Sequence, residues 1–495
     1  MISAHLPILL IVVPLISAPV CVLLRRRTLA WSFALLVSWA TLAMGAALLL
    51  RVLDSGVPIS YALGDWSAPW GIEYRVDPLN AFVLLLVSII GAVVLLYAKP
   101  SVAGELPQVR HSLFYAAFLL CLTGLLGMAV TGDAFNLFVF LEISSLSSYA
   151  LISLGRDRRA LTASYQYLIM GTVGATFFVI GVGLLYMMTG TLNMADLAVR
   201  LPPVMGTRTI LVAFAFLSVG LSLKLALFPL HLWLPNAYTY APSVVTAFVA
   251  ATATKVSIYV LLRFVFTVFG PGFAFETMRL DALLMPLSLI GIFVASTVAI
   301  FQKNIKRMLA YSSVAQIGYV TLGISFVSVT GLTACIVHLF NHALMKGALF
   351  LGMGCIALRT GSVNLDDMRG LGRRMPVTMS AFVLGGLSLI GVPMTVGFIS
   401  KWYLVLAALQ KGWWPIAVLI LIGSLLALIY VWRVVEVAYF RKPADASAGV
   451  VEAPLLMHIS MWVLIAANLY FGISTSLTAG VAQRAAELLL GGTAP

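Results

Sequence analysis

With 495 residues, 62% of them hydrophobic and 9% charged, the chain carries far fewer charges than the roughly 25% of an ordinary soluble domain. That composition excludes a soluble enzyme and identifies a polytopic membrane protein. The net charge of +13 gathers in connections between apolar segments, so it reads as membrane topology and implies no nucleic-acid affinity.

Apolar runs of about 20 residues, the length that crosses a bilayer, predict fourteen spans: 3–24, 29–51, 78–98, 112–130, 133–154, 162–188, 209–234, 242–269, 281–301, 305–325, 328–357, 377–406, 415–439 and 454–478. The predicted fold class is therefore an all-α polytopic membrane protein. Connections such as 52–77 and 440–453 are at most about one hairpin long, and none leaves room for a catalytic domain. The basic cluster Arg25, Arg26 and Arg27 follows the first span instead of preceding it, so that span reads as a retained helix with its N-terminus outside. The segment 52–77, with Trp66, Pro69, Trp70 and Gly71, reads as a small outside hairpin with interfacial tryptophans. Of the 30 Lys and Arg residues, 17 lie in one alternate set of connections (25–27, 99–110, 156–159, 302–307, 359–374 and 441–442) and 7 in the other. Positive residues favour cytoplasmic loops, which puts both termini outside.

Charges inside the spans are the informative exceptions, because each costs roughly 2.5 to 3.5 kcal/mol at a helix centre on an insertion scale. Asp133 opens the fifth span, where a negative charge favours the helix dipole. Glu142 follows in Phe138-Val139-Phe140-Leu141-Glu142, with Ser144, Ser145, Ser147 and Ser148 close behind. In the seventh span Lys224 precedes Pro229, which removes a backbone donor and breaks the helix, and His231 follows. Facing Glu142, Lys224 forms either a proton switch or a static pair that locks two helices. Lys255 follows Thr252 and Thr254 in the eighth span and is the natural acceptor of a proton leaving Lys224, since lysine pKa values respond readily to burial. His338, Asn341, His342 and Lys346 fall on one face of the eleventh span. Imidazoles at this spacing serve a proton relay, helix–helix hydrogen bonding or zinc; Leu339 stands where a metalloprotease has its glutamate, and no third ligand is evident. The twelfth span is opened by Gly391 and Pro393, with Lys401 beyond. Arg433 and Glu436 read as a local ion pair near the interface.

The two broken spans lie five helices apart. Shifting by an odd number of helices reverses direction, so the pattern predicts two inverted five-helix repeats, the arrangement in which broken helices mark a transport path. The expected organisation is 1–111 (helices 1–3 and the hairpin), 112–269 (first repeat), 281–440 (second repeat) and 441–495 (helix 14 and a short tail). Cys21, Cys121, Cys335 and Cys355 are scattered through apolar helices and no glycine-rich nucleotide turn occurs, so no cofactor or metal is expected and redox chemistry would belong to another polypeptide. Sodium needs several hard oxygen ligands, whereas deep in these spans one clear carboxylate, Glu142, stands against the three lysines Lys224, Lys255 and Lys401 and two histidines, which suits H⁺.

Several stretches carry a resemblance. Asp133 to Glu142, Lys224 to Pro235 with Ala241-Pro242-Ser243, Lys303 to Tyr319, His338 to Lys346 and Gly391 to Lys401 resemble the proton-conducting antiporter-like subunits shared by Mrp-type Na⁺(K⁺)/H⁺ antiporters and respiratory complex I. Similarity spans about residues 70–440, and within the family the chain is most similar to the D-type subunits of Mrp antiporters. The resemblance implies that Glu142 and Lys224 are the inter-helix pair, Lys255 the central lysine, His338 and His342 the bridging residues and Lys401 the exit lysine. Some complex I members carry glutamate at this last position, and the largest members continue into a lateral helix beyond the fourteenth span. The implied partners are other membrane subunits, protons, monovalent cations and the lipid bilayer; a proton-pumping subunit of a complex I-type or hydrogenase assembly is the competing implication.

Overall fold

The computed structural model describes residues 2–24, 26–442 and 449–491. Arg25 of the basic cluster, 443–448 of the connection 440–453, and 492–495 of the tail lie outside the described residues. The chain is an all-α multi-pass protein. Helices α1 (Leu6–Leu23) and α2 (Arg27–Ser55) lead into an antiparallel hairpin of β1 (Ile59–Ala62) and β2 (Glu73–Val76). Trp66 and Trp70 at its tip are 70% and 86% exposed, as interfacial residues should be.

Polar caps set the helix starts where the apolar sequence offers little punctuation. Asp77 accepts from the Leu79 and Asn80 amides while the Asn80 side chain returns a bond to the Asp77 amide, and Pro78 opens α3 (Pro78–Glu105). Helix α4 (His111–Val130) follows, and Asp133 caps α5 (Ala134–Ser153) by accepting from the Asn136 amide at 2.7 Å. Then come α6 (Arg159–Thr189), the short α7 (Met194–Arg200), α8 (Arg208–Leu225), α9 (Trp233–Tyr240) and α10 (Ser243–Leu262), which runs into π-helical turns at Arg263–Val268. The second half holds α11 (Leu280–Phe301), α12 (Ile305–Ser325), α13 (Val329–Thr360), α14 (Leu371–Arg374), α15 (Pro376–Ile390), α16 (Val396–Gln410), α17 (Trp414–Phe440), α18 (Leu455–Ile473) and α19 (Ser476–Leu489).

Twelve of the described helices are long and apolar enough to cross a membrane. Of the fourteen predicted spans, the two outside that set are the more polar α12 and the pair α15/α16, each too short alone. The centre is formed by α13, whose most apolar window is 100% buried, and α10 at 94%. Helices α1, α2, α6, α11 and α18, at 39%, surround them. Some elements were not anticipated. Helix α7 and the C-terminal α19 are helical where loop or tail was expected, and α19 packs on α13 and α3 through Val481, Ala482, Ala485 and Ala486.

Both proline breaks are present, with one boundary corrected. The predicted span 209–234 ends at Leu225, because Ala226 turns left-handed at φ 60° and the chain resumes helix only at Trp233. Similarly, Gly391 at φ 94°, a region favouring glycine, closes α15 before Pro393 and α16. The two halves also share a local construction. Ala134 and Met194 bond Leu192 and Gly132 at 2.9 and 2.8 Å, closing the ends of α5 and α6. Ile305 and Leu365 bond Val363 and Lys303, both at 2.8 Å, closing the ends of α12 and α13 in the same way. Thr189-Gly190-Thr191-Leu192-Asn193 and Thr360-Gly361-Ser362-Val363-Asn364 occupy equivalent turns, each with a left-handed glycine.

Candidate functional site

Lys224 occupies the last turn of α8, where the break leaves it facing α5. Its ammonium donates to Ser145 Oγ at 2.8 Å and stands 3.8 Å from Glu142 Oε1. The latter is an ion pair without hydrogen-bond contact. The Lys224 side chain is 4% exposed and that of Glu142 25%, and Glu142 Oε1 has no hydrogen-bond partner. The predicted juxtaposition is present, and the serine run after Glu142 supplies one of its members.

Lys255 sits at the middle of α10, 1% exposed, and reaches back along its own helix to the Ala250 carbonyl at 2.6 Å and Thr254 Oγ1 at 3.3 Å. It has no acidic partner among the described residues. On α13 the spacing of three, four and eight brings His338, Asn341, His342 and Lys346 to buried positions. His338 Nδ1 shares a hydrogen bond of 2.7 Å with Ser400 Oγ on α16, and the two imidazole rings stack 5.9 Å apart. The Nε2 atoms of both histidines lack partners, as does Asn341 Oδ1. Lys346 donates to the Leu309 carbonyl at 2.8 Å and to Ser312 Oγ. Among the described residues, no three His, Cys, Asp or Glu side chains gather as metal ligands.

Lys401 on α16 folds back over the break, donating to the Leu389 and Ile390 carbonyls at 3.1 and 2.8 Å. These are orphan acceptors at the end of α15, and a cation there is favoured by the helix dipole. Its amine also lies 5.0 Å from the Tyr319 ring centroid. Of the secondary positions, Asp133 is a helix cap and Lys346 joins the α13 group. His231 lies in the α8–α9 turn, stacked on Phe228 and edge-on to Tyr311 of α12, with Nδ1 unpartnered. That turn therefore touches the second half of the chain.

The predicted Arg433–Glu436 pair is corrected. Glu436 instead pairs with Arg441 at 3.0 Å, because the chain leaves the helix at Arg441 and brings its guanidinium back along α17. Sequence reading also passed over two buried charges. Lys306 of α12 donates to the Ala241 carbonyl at 2.7 Å, tying the α9–α10 turn to the second half. Arg263 binds both Asp77 oxygens at 2.5 Å beside Tyr259. The available signals were a lysine two residues past the Asn304 helix cap in Lys303-Asn304-Ile305-Lys306, and a lone arginine near the end of an apolar run.

This geometry coincides with the part of the chain that known proteins share. The family model described as NADH:quinone oxidoreductase/Mrp antiporter, TM matches residues 131–427, which include Glu142, Lys224, Lys255, His338, His342 and Lys401. NADH-quinone oxidoreductase subunit N of Desulforudis audaxviator (strain MP104C) is 47% identical over 442 residues, covering 89% of this chain and 87% of that protein. The D-type subunit of the Na(+)/H(+) antiporter of Bacillus subtilis (strain 168) is 32% identical over 486 residues, covering 98% and 97%. A chain in the structure of the Mrp complex from Dietzia sp. DQ12-45-1b superposes with a TM-score of 0.90 at 26% identity, covering 100% of this chain and 98% of that one. With the matched segment enclosing both helix breaks and all the buried amines, the chain belongs to the NADH:quinone oxidoreductase/Mrp antiporter transmembrane family.

Proposed function

We propose that the chain is the proton-conducting membrane subunit of a multisubunit Na⁺ or K⁺/H⁺ antiporter. Protons pass from Glu142/Lys224 through Lys255 and His338/His342 to Lys401. The observation that carries this reading is a set of buried amines and imidazoles on α8, α10, α13 and α16 with, among the described residues, only one carboxylate, Glu142, paired to any of them. Groups that can gain and lose a proton, held without compensating acids, transmit H⁺ and repel sodium. His231 and Lys346 extend the row toward α12, Asp133 anchors the helix bearing Glu142, and the breaks at Pro229, Gly391 and Pro393 make room for water between stations. The matched end-closures of α5/α6 and α12/α13 support two inverted five-helix units, 112–269 and 281–440, preceded by 1–111 and followed by 441–495.

A proton row alone would dissipate the gradient, so partner subunits must couple it. Glu142 is one-quarter exposed on the same face of α5 as Phe135, Val139 and Leu146. A carboxylate facing lipid is costly, and a neighbouring membrane subunit covering that face removes the cost. The bacterial inner membrane, with both termini outside, agrees with the loop charges.

The second reading, a proton-pumping membrane subunit of a complex I-type NADH:quinone oxidoreductase, is favoured by the 47% identity to a subunit N. Copurification separates the two: small hydrophobic antiporter subunits support the first reading, iron–sulfur and flavin polypeptides the second. Lys255→Ala in the intact complex is expected to abolish proton movement. Proton flux at the unmodified rate overturns the conduction row, and sodium movement continuing without protons overturns its coupling to the cation.

A further inference from the structure

A cavity of about 330 Å³ opens between the start of α2, the last turns of α3, and the starts of α4 and α18. It offers roughly ten times the volume a water occupies in the liquid. All four helix ends lie on the side where the basic loops gather. Arg27, Lys99 and His111 line the cavity, and no Asp or Glu among the described residues does. Lys99 is preorganised there, its amine 4.5 Å from the centroid of the Trp31 ring. Trp31 is itself fixed, donating its indole N–H to the Leu95 carbonyl at 2.9 Å. His111 is buried, with Nε2 3.2 Å from the Leu106 carbonyl. The nearest acid along α3, Glu105, is occupied elsewhere, by Ser101 and the Ser243 amide.

The flanks have a different chemistry. Leu29 and Leu36 of α2 and Leu455 of α18 are 51%, 69% and 72% exposed. Cations at helix-end depth beside bare aliphatic surface form an amphiphilic receptor, in which the anion sits at the helix ends and hydrocarbon runs along the helices. Basic pockets between transmembrane helices at this level suit phospholipid phosphates. We propose that this cavity binds the phosphate of an anionic phospholipid from the leaflet on the Lys/Arg-rich side, and that the lipid joins α2 and α3 to α4 and α18. Arg27 and Lys99 supply the charge, Trp31 holds Lys99 in place, and the exposed leucines receive the acyl chains.

The test uses the intact complex in nanodiscs of phosphatidylcholine with increasing phosphatidylglycerol. Retained lipid is counted by native mass spectrometry and the thermal midpoint is followed. The unmodified complex should retain phosphatidylglycerol preferentially and gain stability with it. Arg27→Gln with Lys99→Gln should raise the half-saturating phosphatidylglycerol fraction about 30-fold, which corresponds to about 1 kcal/mol per removed charge. Lys99→Arg should restore much of the preference and serves as the folding control. The proposal fails if the double variant retains anionic lipid like the unmodified complex, if inorganic phosphate competes for the site, or if a cysteine at position 99 crosslinks to a neighbouring subunit with no lipid bound.

Discussion

Neutralising Glu142 isolates the pair on which the proposed switch depends. At 3.8 Å between Nζ and Oε1, the attraction is about 4 kcal/mol at an effective dielectric of 20 and about 1 kcal/mol in water. Lys224 is buried and Glu142 one-quarter exposed, so the isolated chain lies between these limits and a covering subunit moves the pair toward the upper one. Glu142→Gln keeps the shape and removes the charge; Lys224→Gln removes the other partner. Each single change is expected to lower proton translocation by at least about tenfold while the complex still assembles, since about 1.4 kcal/mol corresponds to a factor of ten. The double variant should be no slower than the worse single, because the second change finds no partner left to remove. The assay is proton uptake by proteoliposomes carrying the complex, with the three variants closing a double-mutant cycle. Losses that simply multiply, giving a coupling near zero, refute the switch and leave two independent residues.

Lys401→Arg keeps a cation over the end of α15 but cannot release its proton, so the variant should assemble normally and conduct no protons; transport at the unmodified rate contradicts a relay at this position. Gly397→Ala would drive a methyl carbon into the Ser388 carbonyl oxygen. That backbone contact should cost at least about 1 to 3 kcal/mol and lower the thermal midpoint, and an unchanged midpoint contradicts the tight α15–α16 crossing. Asp77→Ala strands a buried guanidinium and should destabilise the N-terminal end of α3 by about 3 to 5 kcal/mol, read as faster hydrogen exchange there. Burial works to raise the Asp77 carboxyl, but the Arg263 guanidinium outweighs it and holds the group below the usual carboxylate range. A depressed carboxylate stabilises above its unfolded value and loses that contribution as pH falls through the folded one. The pair should therefore hold from pH 8 to 5 and weaken only below about pH 4.

The membrane class, both breaks and the buried titratable residues were legible because each violates a strong rule: charges do not belong in apolar spans, and proline does not belong inside helices. What stayed hidden depends on direction or distance. Whether Glu436 turns to Arg433 or Arg441 is decided by where the chain exits α17, which periodicity does not encode. Lys306 looked like one more basic loop residue, since nothing local announces that the Ala241 carbonyl waits across the bundle. Helix α19 was missed because its alanines carry little hydropathy yet pack closely on α13. The repeated turn Thr-Gly-Thr-Leu-Asn and Thr-Gly-Ser-Val-Asn was readable, and it marks the equivalent corners of the two halves more sharply than the prolines do.

The two breaks solve one problem with different chemistry, and the difference suggests where control resides. Ending a helix inside a bundle leaves carbonyls without partners. At the end of α15 the answer is ionic, with Lys401 itself bonding the Leu389 and Ile390 carbonyls. At the end of α8 the Leu223 carbonyl receives a neutral donor, the Trp233 indole at 3.0 Å. Lys224 is thereby freed to face Ser145 and Glu142. Backbone carbonyls cannot swing away without unwinding a helix, so the surroundings of Lys401 are fixed by the fold. A carboxylate on a rotatable, one-quarter exposed side chain can be drawn off at low cost. On the proposed reading, a partner would control the proton at the first break, with the second serving as a rigid station.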